Sequence, residues 1–266
     1  MGFVMNYVLP ILIFAVIGAV AGALLMLGSK LLHVEMDETV ARLTEELPGG
    51  NCGACGYSGC EGYANAVAKG DAPTNRCKPG GDEAAAALAS IMGTKAIMAE
   101  KEVAYVRCNG CNGATEDRFI FAGTPSCAAA ERFYNGKGNC RSRCDGLGDC
   151  VRVCEHDAIS IIDGVAVVDP ERCRACGRCA EVCPNKLIEM IPAAQRYAVR
   201  CSSIDMGKVT REVCKNGCIG CKICEKKCPS DAVKVVDNHA VIDGSRCTGC
   251  GACAEACPQK CIALLK

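Results

Sequence analysis

The chain has 266 residues, 26 of them cysteine, and its 30 basic and 30 acidic residues give a formal net charge of zero. This balance argues against nucleic-acid binding, which needs a basic surface. Aromatic residues make up only 4% of the chain and Trp is absent, which excludes a large hydrophobic core as the main source of stability. Clustered cysteines suit zinc, disulfides or iron–sulfur clusters, and their spacing has to decide among these.

The first element in chain order is an uncharged apolar segment from Val8 to Leu27, whose twenty residues match the length of a membrane-spanning helix. A cleaved signal peptide is the alternative. It is disfavoured because no Lys or Arg precedes the segment, whereas Lys30 follows it directly. By the positive-inside rule, Lys30 places the following residues in the cytoplasm, a reducing compartment that suits free thiolates. Residues 1–30 are therefore predicted to be a single-pass anchor in the cytoplasmic membrane.

A short helix is expected over residues 36–47, and a glycine-rich cysteine loop follows it. Three cysteines with C-x2-C-x4-C spacing and a fourth after sixteen further residues are enough to bind one [4Fe–4S] cube. They are Cys52, Cys55, Cys60 and Cys77. The alternative, a structural zinc site, favours two separated CxxC pairs. Residues 31–80 are predicted to form this four-cysteine module, and residues 81–107 are predicted to form a linker.

The second half of the chain contains an internal repeat with a period of 74 residues. Residues 154–173 align without a gap with residues 228–247, and each copy holds two β-rich runs around a DG or DN turn, which predicts a hairpin. Each copy is predicted to be one two-cluster ferredoxin-like domain, over residues 108–200 and 201–266. The predicted fold class is α+β, with one N-terminal transmembrane helix, one small [4Fe–4S] module and two tandem ferredoxin-like domains.

Copy two contains two C-x2-C-x2-C-x3-C-P runs, the spacing of bacterial two-cluster ferredoxins. In that spacing the fourth cysteine of each run binds the cluster of the other run. The predicted ligands of one cube are Cys218, Cys221, Cys224 and Cys257. The predicted ligands of the other cube are Cys228, Cys247, Cys250 and Cys253.

Copy one keeps one such run intact. With the crossing cysteine, the predicted ligands of its first cube are Cys154, Cys173, Cys176 and Cys179. The other run departs from the pattern, because Leu147 stands where copy two has Cys221, and Glu155 replaces the proline. Cys140 is the nearest candidate for the missing ligand, and a [3Fe–4S] centre is the alternative. The predicted set is Cys140, Cys144, Cys150 and Cys183.

Six cysteines remain outside these five sets, and the 74-residue period pairs Cys127 with Cys201 and Cys140 with Cys214. These correspondences suggest a sixth cluster, with Cys111 as a rival ligand. Its predicted ligands are Cys108, Cys127, Cys201 and Cys214.

Other features of the sequence indicate no further cofactor. Cys261 corresponds to Leu187 in copy one and is interpreted as a small buried apolar residue. No G-x-G-x-x-G follows a strand and no Walker loop is found, so neither NAD, flavin nor ATP is expected to bind to this chain.

The anchor, the segment EELPGGNCGACGYSGCEGYA at residues 45–64 with Cys77, and the C-terminal ferredoxin run follow one another in this order. In these motifs the chain resembles, over nearly its whole length, the B subunits of Rnf complexes, the ion-translocating ferredoxin:NAD oxidoreductases of bacterial membranes. The duplicated ferredoxin part is similar to the longer, cluster-rich form. The resemblance implies a subunit that accepts electrons from reduced soluble ferredoxin and relays them to membrane subunits, with NAD reduced on another subunit.

Two other functions remain open at this point. A polyferredoxin subunit of another membrane complex, such as a hydrogenase, has the same composition. A zinc or disulfide scaffold without redox function is disfavoured by the repeated cysteine–proline runs, which are typical of iron–sulfur ligation.

Overall fold

The computed structural model describes residues 9–31, 37–98 and 100–265, and these ranges contain ten helices and eight short strands. The strands form four two-stranded antiparallel sheets. The buried apolar residues form three separate clusters, one in an all-helical module and one in each of two ferredoxin-like domains. The mixed helix and strand content agrees with the predicted α+β class.

The described chain begins with helix α1 (Leu9–Leu31), which covers most of the predicted anchor, while residues 1–8 lie outside the described residues. Apolar side chains along α1 are exposed, with Phe14 at 75% and Leu25 at 76%. Across the ranges that the structure describes, no helix meets the combined requirement of length and apolarity for crossing a membrane. The single-pass anchor stays a prediction.

The first module contains three short helices. They are α2 (Glu38–Glu45), α3 (Cys60–Ala68) and α4 (Gly81–Met92). Each helix contributes fully buried side chains to a common core, among them Leu43, Tyr63 and Leu88. Helix α4 lies in residues 81–107, the predicted linker, and the structure differs from that prediction because Leu88 packs into the core of the module.

The first ferredoxin-like domain combines two strand pairs with three short helices. Its elements are β1 (Glu102–Val106), α5 (Cys127–Tyr134), α6 (Asp149–Arg152), β2 (Ile159–Ile162), β3 (Val165–Val168), α7 (Arg178–Val182) and β4 (Ile188–Pro192). Strands β2 and β3 form a hairpin, and β1 pairs with β4 with Val106 opposite Ile188. Strand β1 also lies in the predicted linker, so the folded domain begins before residue 108.

The second ferredoxin-like domain repeats this arrangement. Its elements are β5 (Tyr197–Val199), α8 (Gly207–Val213), α9 (Ile223–Lys227), β6 (Val233–Val236), β7 (His239–Ile242), α10 (Ala252–Glu255) and β8 (Ile262–Leu264). Strands β6 and β7 form the hairpin, and β5 pairs with β8 with Val199 opposite Ile262. Because β5 pairs within this domain, the fold places residues 197–199 with the second copy, although the predicted boundary lies at residue 201.

The conformation of the two hairpin turns is explained by the residue types that form them. Asp163 and Gly164 have φ values of 49° and 77°, and Asp237 and Asn238 have φ values of 45° and 63°. Two consecutive residues with positive φ are what a two-residue turn with the twist of a hairpin requires, and Asp, Asn and Gly tolerate that conformation best. The predicted hairpin in each copy is confirmed.

Candidate iron–sulfur sites

The four cysteines of the first module come together around one site. Burial raises the pKa of the Cys77 thiol most, and the charges of Cys60, Cys55 and Cys52 raise it further, so all four thiols are neighbours. Tyr63 fixes the remote ligand, because its hydroxyl donates to Pro73 O at 2.8 Å and accepts from Arg76 N at 3.1 Å. These bonds hold the segment before Cys77 against helix α3.

A glycine determines how this cysteine loop enters α3. Gly59 has a φ of 110°, and a Cβ there would lie 2.7 Å from Asn51 Oδ1. The same oxygen accepts a hydrogen bond from Cys60 N at 2.8 Å, which satisfies a free amide at the start of the helix. A side chain at residue 59 would therefore displace Asn51 and shift the Cys60 ligand.

The intact run of the first ferredoxin-like domain gathers its predicted ligands. A small cavity is lined by Cys154, Cys173, Cys176 and Cys179. Burial raises the pKa of Cys179 to about 12, and the charges of the other three thiols act in the same direction. Main-chain amides donate to the sulfurs. Ala158 N lies 3.4 Å from Cys154 Sγ, and Ala104 N lies 3.4 Å from Cys173 Sγ. Such N–H···S bonds are a feature of iron–sulfur ligation.

The second cavity of this domain differs from the prediction in one ligand. The cysteines that line it are Cys127, Cys144, Cys150 and Cys183. The run of this domain lacks one cysteine, because Leu147 stands where the second copy has Cys221. The structure brings Cys127, and not Cys140, to the cavity as the fourth thiol. The charge of Cys127 raises the pKa values of Cys150 and Cys183 after the larger effect of burial.

The position of Cys127 has a local cause. Ser126 caps helix α5, with Ala129 N donating to its Oγ at 3.3 Å. Asp149 Oδ2 accepts hydrogen bonds from Ala128 N at 2.9 Å and from Ser126 Oγ at 3.1 Å, which ties the start of α5 to the start of α6. Cys127 begins α5, and Cys150 lies within α6. The hydrogen bonds of Asp149 therefore bring the two thiols into one cavity.

In the second ferredoxin-like domain the predicted crossing of the fourth cysteines has structural counterparts. One cavity is lined by Cys218, Cys221, Cys224 and Cys257, together with Cys261. In the other predicted site of this domain, burial raises the pKa of the Cys253 thiol most, and the charges of Cys228 and Cys247 raise it further. Cys250 of the same run is exposed.

Cys261 is buried, as the sequence predicts, but it also contacts predicted cluster ligands. Its Sγ lies 3.5 Å from Cys257 Sγ, and only 1% of the residue is exposed. A hydrogen bond from the Cys261 thiol lowers the pKa of Cys257 to about 5 and that of Cys218 to about 6. A thiol whose single proton lies beside two thiolates of one site stabilises their negative charge, which an apolar residue such as Leu187 does not do.

The predicted sixth ligand set is not gathered as a group. Cys127 lies in the cavity described above, whereas Cys140 lies within electrostatic range of Cys214 and Cys201. Cys108 Sγ accepts hydrogen bonds from Gly110 N and Cys144 N, both at 3.3 Å. The predictions place Cys140 with Cys144 and Cys127 with Cys201. In the structure each of the two cysteines lies in the other group.

The thiol groups suit cubes better than single ions. Among the described residues, no group of three or more His, Cys, Asp or Glu side chains could hold one metal ion. In a [4Fe–4S] cube each thiolate binds a different iron, so the ligands stand around a cavity and do not meet at one point. Soft thiolate donors and amides directed at sulfur fit this group.

Three family models match the chain. The model described as "Putative Fe-S cluster" matches residues 47–79, "4Fe-4S binding domain" matches residues 166–189, and "4Fe-4S dicluster domain" matches residues 217–262. The three matched ranges lie in the first module and in the two ferredoxin-like domains. Iron–sulfur clusters are therefore supported in all three folded parts, and clusters of the [4Fe–4S] type in the two ferredoxin-like domains.

Relatives match over nearly the full length. The B subunit of the ion-translocating oxidoreductase complex of Methanosarcina acetivorans is 38% identical over 96% of this chain and 97% of its own. The B subunit of the Na⁺-translocating ferredoxin:NAD⁺ oxidoreductase complex of Acetobacterium woodii is 39% identical over 96% of this chain and 77% of its own. The proton-translocating counterpart of Clostridium ljungdahlii is 36% identical, with 91% and 86% covered. The resemblance to Rnf B subunits is confirmed, and this chain belongs to the family of B subunits of ion-translocating oxidoreductase complexes.

Proposed function

We propose that this chain is the electron-relay subunit of a membrane-bound, ion-translocating oxidoreductase. It takes electrons from reduced soluble ferredoxin and passes them to the membrane subunits, while NAD is reduced on a partner subunit. The relatives from A. woodii and C. ljungdahlii are named as subunits of ferredoxin:NAD⁺ oxidoreductase complexes. The observation that carries the proposal is the succession of four-thiol groups along a chain with these relatives.

Five [4Fe–4S] clusters are proposed, one in the first module and two in each ferredoxin-like domain. When bound, each cube takes up and releases one electron reversibly. Their ligands are Cys52, Cys55, Cys60 and Cys77; Cys154, Cys173, Cys176 and Cys179; Cys127, Cys144, Cys150 and Cys183; Cys218, Cys221, Cys224 and Cys257; and Cys228, Cys247, Cys250 and Cys253. The fourth thiol at the Cys144 site favours a complete cube over a [3Fe–4S] centre.

Contacts between neighbouring sites support an electron path from the first module into the first ferredoxin-like domain. A cleft of about 740 Å³ has Cys55 and Cys77 on one side and Cys173 on the other. The partly exposed Arg178 pairs with Glu155 and lies within electrostatic range of Cys176 and of Cys52 in the first module. The proposed path continues within the domain, because the charge of Cys179 acts on Cys150 of the next site.

A single N-terminal membrane anchor is part of the proposal. Helix α1 has 23 residues, and its apolar side chains between Leu12 and Leu27 are exposed wherever they are described, a surface that lipid covers well. The cluster domains face the cytoplasm, where thiolates remain reduced. Extraction of membranes at alkaline pH tests this part: the anchored chain stays in the pellet, and a variant that lacks residues 1–31 moves to the supernatant. Full extraction of the intact chain contradicts the anchor.

The relay is tested by mixing the anaerobic full-length chain in detergent with reduced ferredoxin. Bleaching of the iron–sulfur absorbance and the appearance of EPR signals from reduced cubes are the expected result. The matched control is ferredoxin reduced to the same extent and mixed with chain that was stripped of iron. An iron-loaded chain that accepts no electrons from ferredoxin contradicts the proposed donor, and a colourless chain that holds zinc contradicts the electron-relay function.

A further inference from the structure

Four thiols outside the five proposed sites are all deeply buried. They are Cys108, Cys140, Cys201 and Cys214, with exposed fractions of 4%, 7%, 8% and 6%. The first two belong to the first ferredoxin-like domain and the last two to the second. A buried thiol is a common small apolar residue, so burial alone assigns no role, and the arrangement of the four has to decide.

The two domains present these thiols in equivalent ways. Arg107 N donates to Leu187 O and Arg200 N donates to Cys261 O, both at 2.7 Å, so Cys108 and Cys201 each follow the same strand pairing. Each sulfur accepts the amide of the first cysteine in the ferredoxin run of its domain. The distances are 3.3 Å from Cys144 N to Cys108 Sγ and 3.2 Å from Cys218 N to Cys201 Sγ.

The second pair of thiols is equivalent as well. Cys140 precedes Cys144 by four residues, and Cys214 precedes Cys218 by four residues. Each domain thus offers one sulfur under the end of its strand pair and one sulfur just before its ferredoxin run. A four-thiolate site with two ligands from each domain follows if the two surfaces meet.

Hydrogen bonds show that the surfaces meet at these loops. Lys215 N, next to Cys214, donates to Ala114 O at 2.8 Å, and Asn216 Nδ2 donates to Asn109 O, next to Cys108, at 3.0 Å. The neighbouring thiols of Cys140 come from the other domain, since the charges of Cys214 and Cys201 act on it. The buried guanidinium of Arg143 also acts on Cys214, and a cation beside several thiolates offsets their negative charge.

Cys111 is the rival ligand and differs from the four. It is only partly buried, and the residue at the equivalent place in the second domain, three positions after Cys201, is the exposed Ile204. Its contact is a hydrogen bond from Asn216 Nδ2 at 3.6 Å. Cys111 therefore lies at the edge of the group and has no counterpart, which makes it a matched control.

We propose that a sixth [4Fe–4S] cluster lies between the two ferredoxin-like domains, bound by two thiolates from each. This inference rests on the proposed electron relay and adds the step that joins its two halves. The sixth cube receives one electron from the cube bound by Cys144 and gives it to the cube bound by Cys218, or the reverse. The amides of these two residues donate to Cys108 and Cys201, so the proposed site lies next to a ligand of each of the two cubes that it would join.

The test compares the double variant Cys140→Ser/Cys214→Ser with Cys111→Ser and with the wild type, all as full-length chains purified anaerobically. Iron and acid-labile sulfide per chain are measured together with EPR of the reduced proteins. The wild type and Cys111→Ser are expected to hold about 24 irons, and the double variant about 20, because one cube holds four irons. The remaining irons report that the other sites of the double variant are folded.

Other outcomes separate the two proposals. A wild type with about 20 irons, unchanged in the double variant, overturns the sixth cluster and leaves the five-cluster relay intact. A loss of one cube in Cys111→Ser, with none in the double variant, overturns the ligand set. A wild type with little iron and bound zinc overturns the sixth cluster and the relay together.

Discussion

The two ferredoxin-like domains share their strand pairing, but they complete one site in different ways. In the second domain, a continuous run brings three ligands, among them Cys221, to the cavity. In the first domain Leu147 occupies that place, and helix α5 brings Cys127 to the cavity from a distant part of the sequence. In the proposed set of ligands, the missing local cysteine is replaced by Cys127, which lies on an element tied to the cavity through the hydrogen bonds of Asp149.

The domains also differ in what fills their cores. Six of the ten buried residues in the core cluster of the second domain are cysteines, against three of ten in the first. The first module has a conventional helical core around Leu43, Tyr63 and Leu88. The three cores are therefore expected to depend on bound clusters to different degrees.

Removal of iron is expected to have the largest effect. Binding of a structural metal contributes on the order of 10 kcal/mol to folding, so chelation should unfold the second ferredoxin-like domain most completely and the first domain less. The helices of the first module should retain most of their amide protection. Hydrogen exchange measured along the chain checks the order. Equal protection in all three parts after chelation would show that the cysteine content of a core does not set its dependence on iron.

Loss of the replacement ligand is expected to have the next largest effect. Cys127→Ser should convert the cube at Cys144 into a [3Fe–4S] centre, with a loss of about one iron and a new EPR signal in the oxidised protein. Adding Leu147→Cys should restore the cube, because it places a thiol where the second domain has Cys221. Cys140→Ser should leave this site intact. If Cys140→Ser gives the [3Fe–4S] signal at this site and Cys127→Ser does not, Cys140 is the ligand.

Exchange of the equivalent residues Cys261 and Leu187 is expected to shift reduction potentials. Cys261→Leu removes a hydrogen bond to the ligands of one cube, so its more negative reduced state loses stabilisation and its potential falls. A bond of about 0.5–1.5 kcal/mol corresponds to roughly 20–60 mV for one electron. Leu187→Cys should raise the potential of the equivalent cube in the first domain. Potentiometric titration followed by EPR measures both, and shifts of the opposite sign would refute the hydrogen-bond explanation.

The smallest effect is expected from the cap of α5. Ser126→Ala removes the acceptor for Ala129 N and should destabilise this helix by about 1 kcal/mol. The cube that uses Cys127 should then release iron faster to a chelator, while the cubes of the second domain should not. Ser126→Thr, which keeps the hydroxyl that caps the helix and donates to Asp149, serves as the control. Equal release rates in all variants would mean that α5 holds Cys127 without help from its cap.

Much of the grouping of the cysteines could be predicted because the spacing of cysteines along one run reflects the geometry of one cube. The hairpins could also be predicted, since Asp-Gly and Asp-Asn turns favour the positive φ values that a two-residue hairpin turn requires. These features depend on neighbouring residues in the sequence. The cysteine–proline runs therefore predict the four thiols that line one cavity of the second domain, and three of the four thiols predicted for its other site, Cys228, Cys247 and Cys253, are neighbours.

The exchange of Cys127 and Cys140 could not be predicted from the 74-residue period. The structurally equivalent thiols Cys108 and Cys201 lie 36 and 17 residues before the cysteines whose amides they accept, so the first copy carries extra residues there. A repeat aligned without gaps pairs Cys127 with Cys201 across this insertion. Only the strand pairing of β1 and β5 reveals the correct equivalence, and β1 lies in a stretch that composition predicts to be a linker.

The exposure of Cys221 and Cys250 has a consequence for survival in air. Both thiols are exposed, whereas the corresponding positions in the first domain hold the partly buried Leu147 and Cys176. Dioxygen and peroxide attack iron–sulfur cubes from the solvent side, and a thiolate that loses its iron there is open to oxidation. We therefore expect oxidation in air to begin at Cys221 and Cys250 of the second domain, and the rate of oxidation there to limit how long the protein tolerates dioxygen.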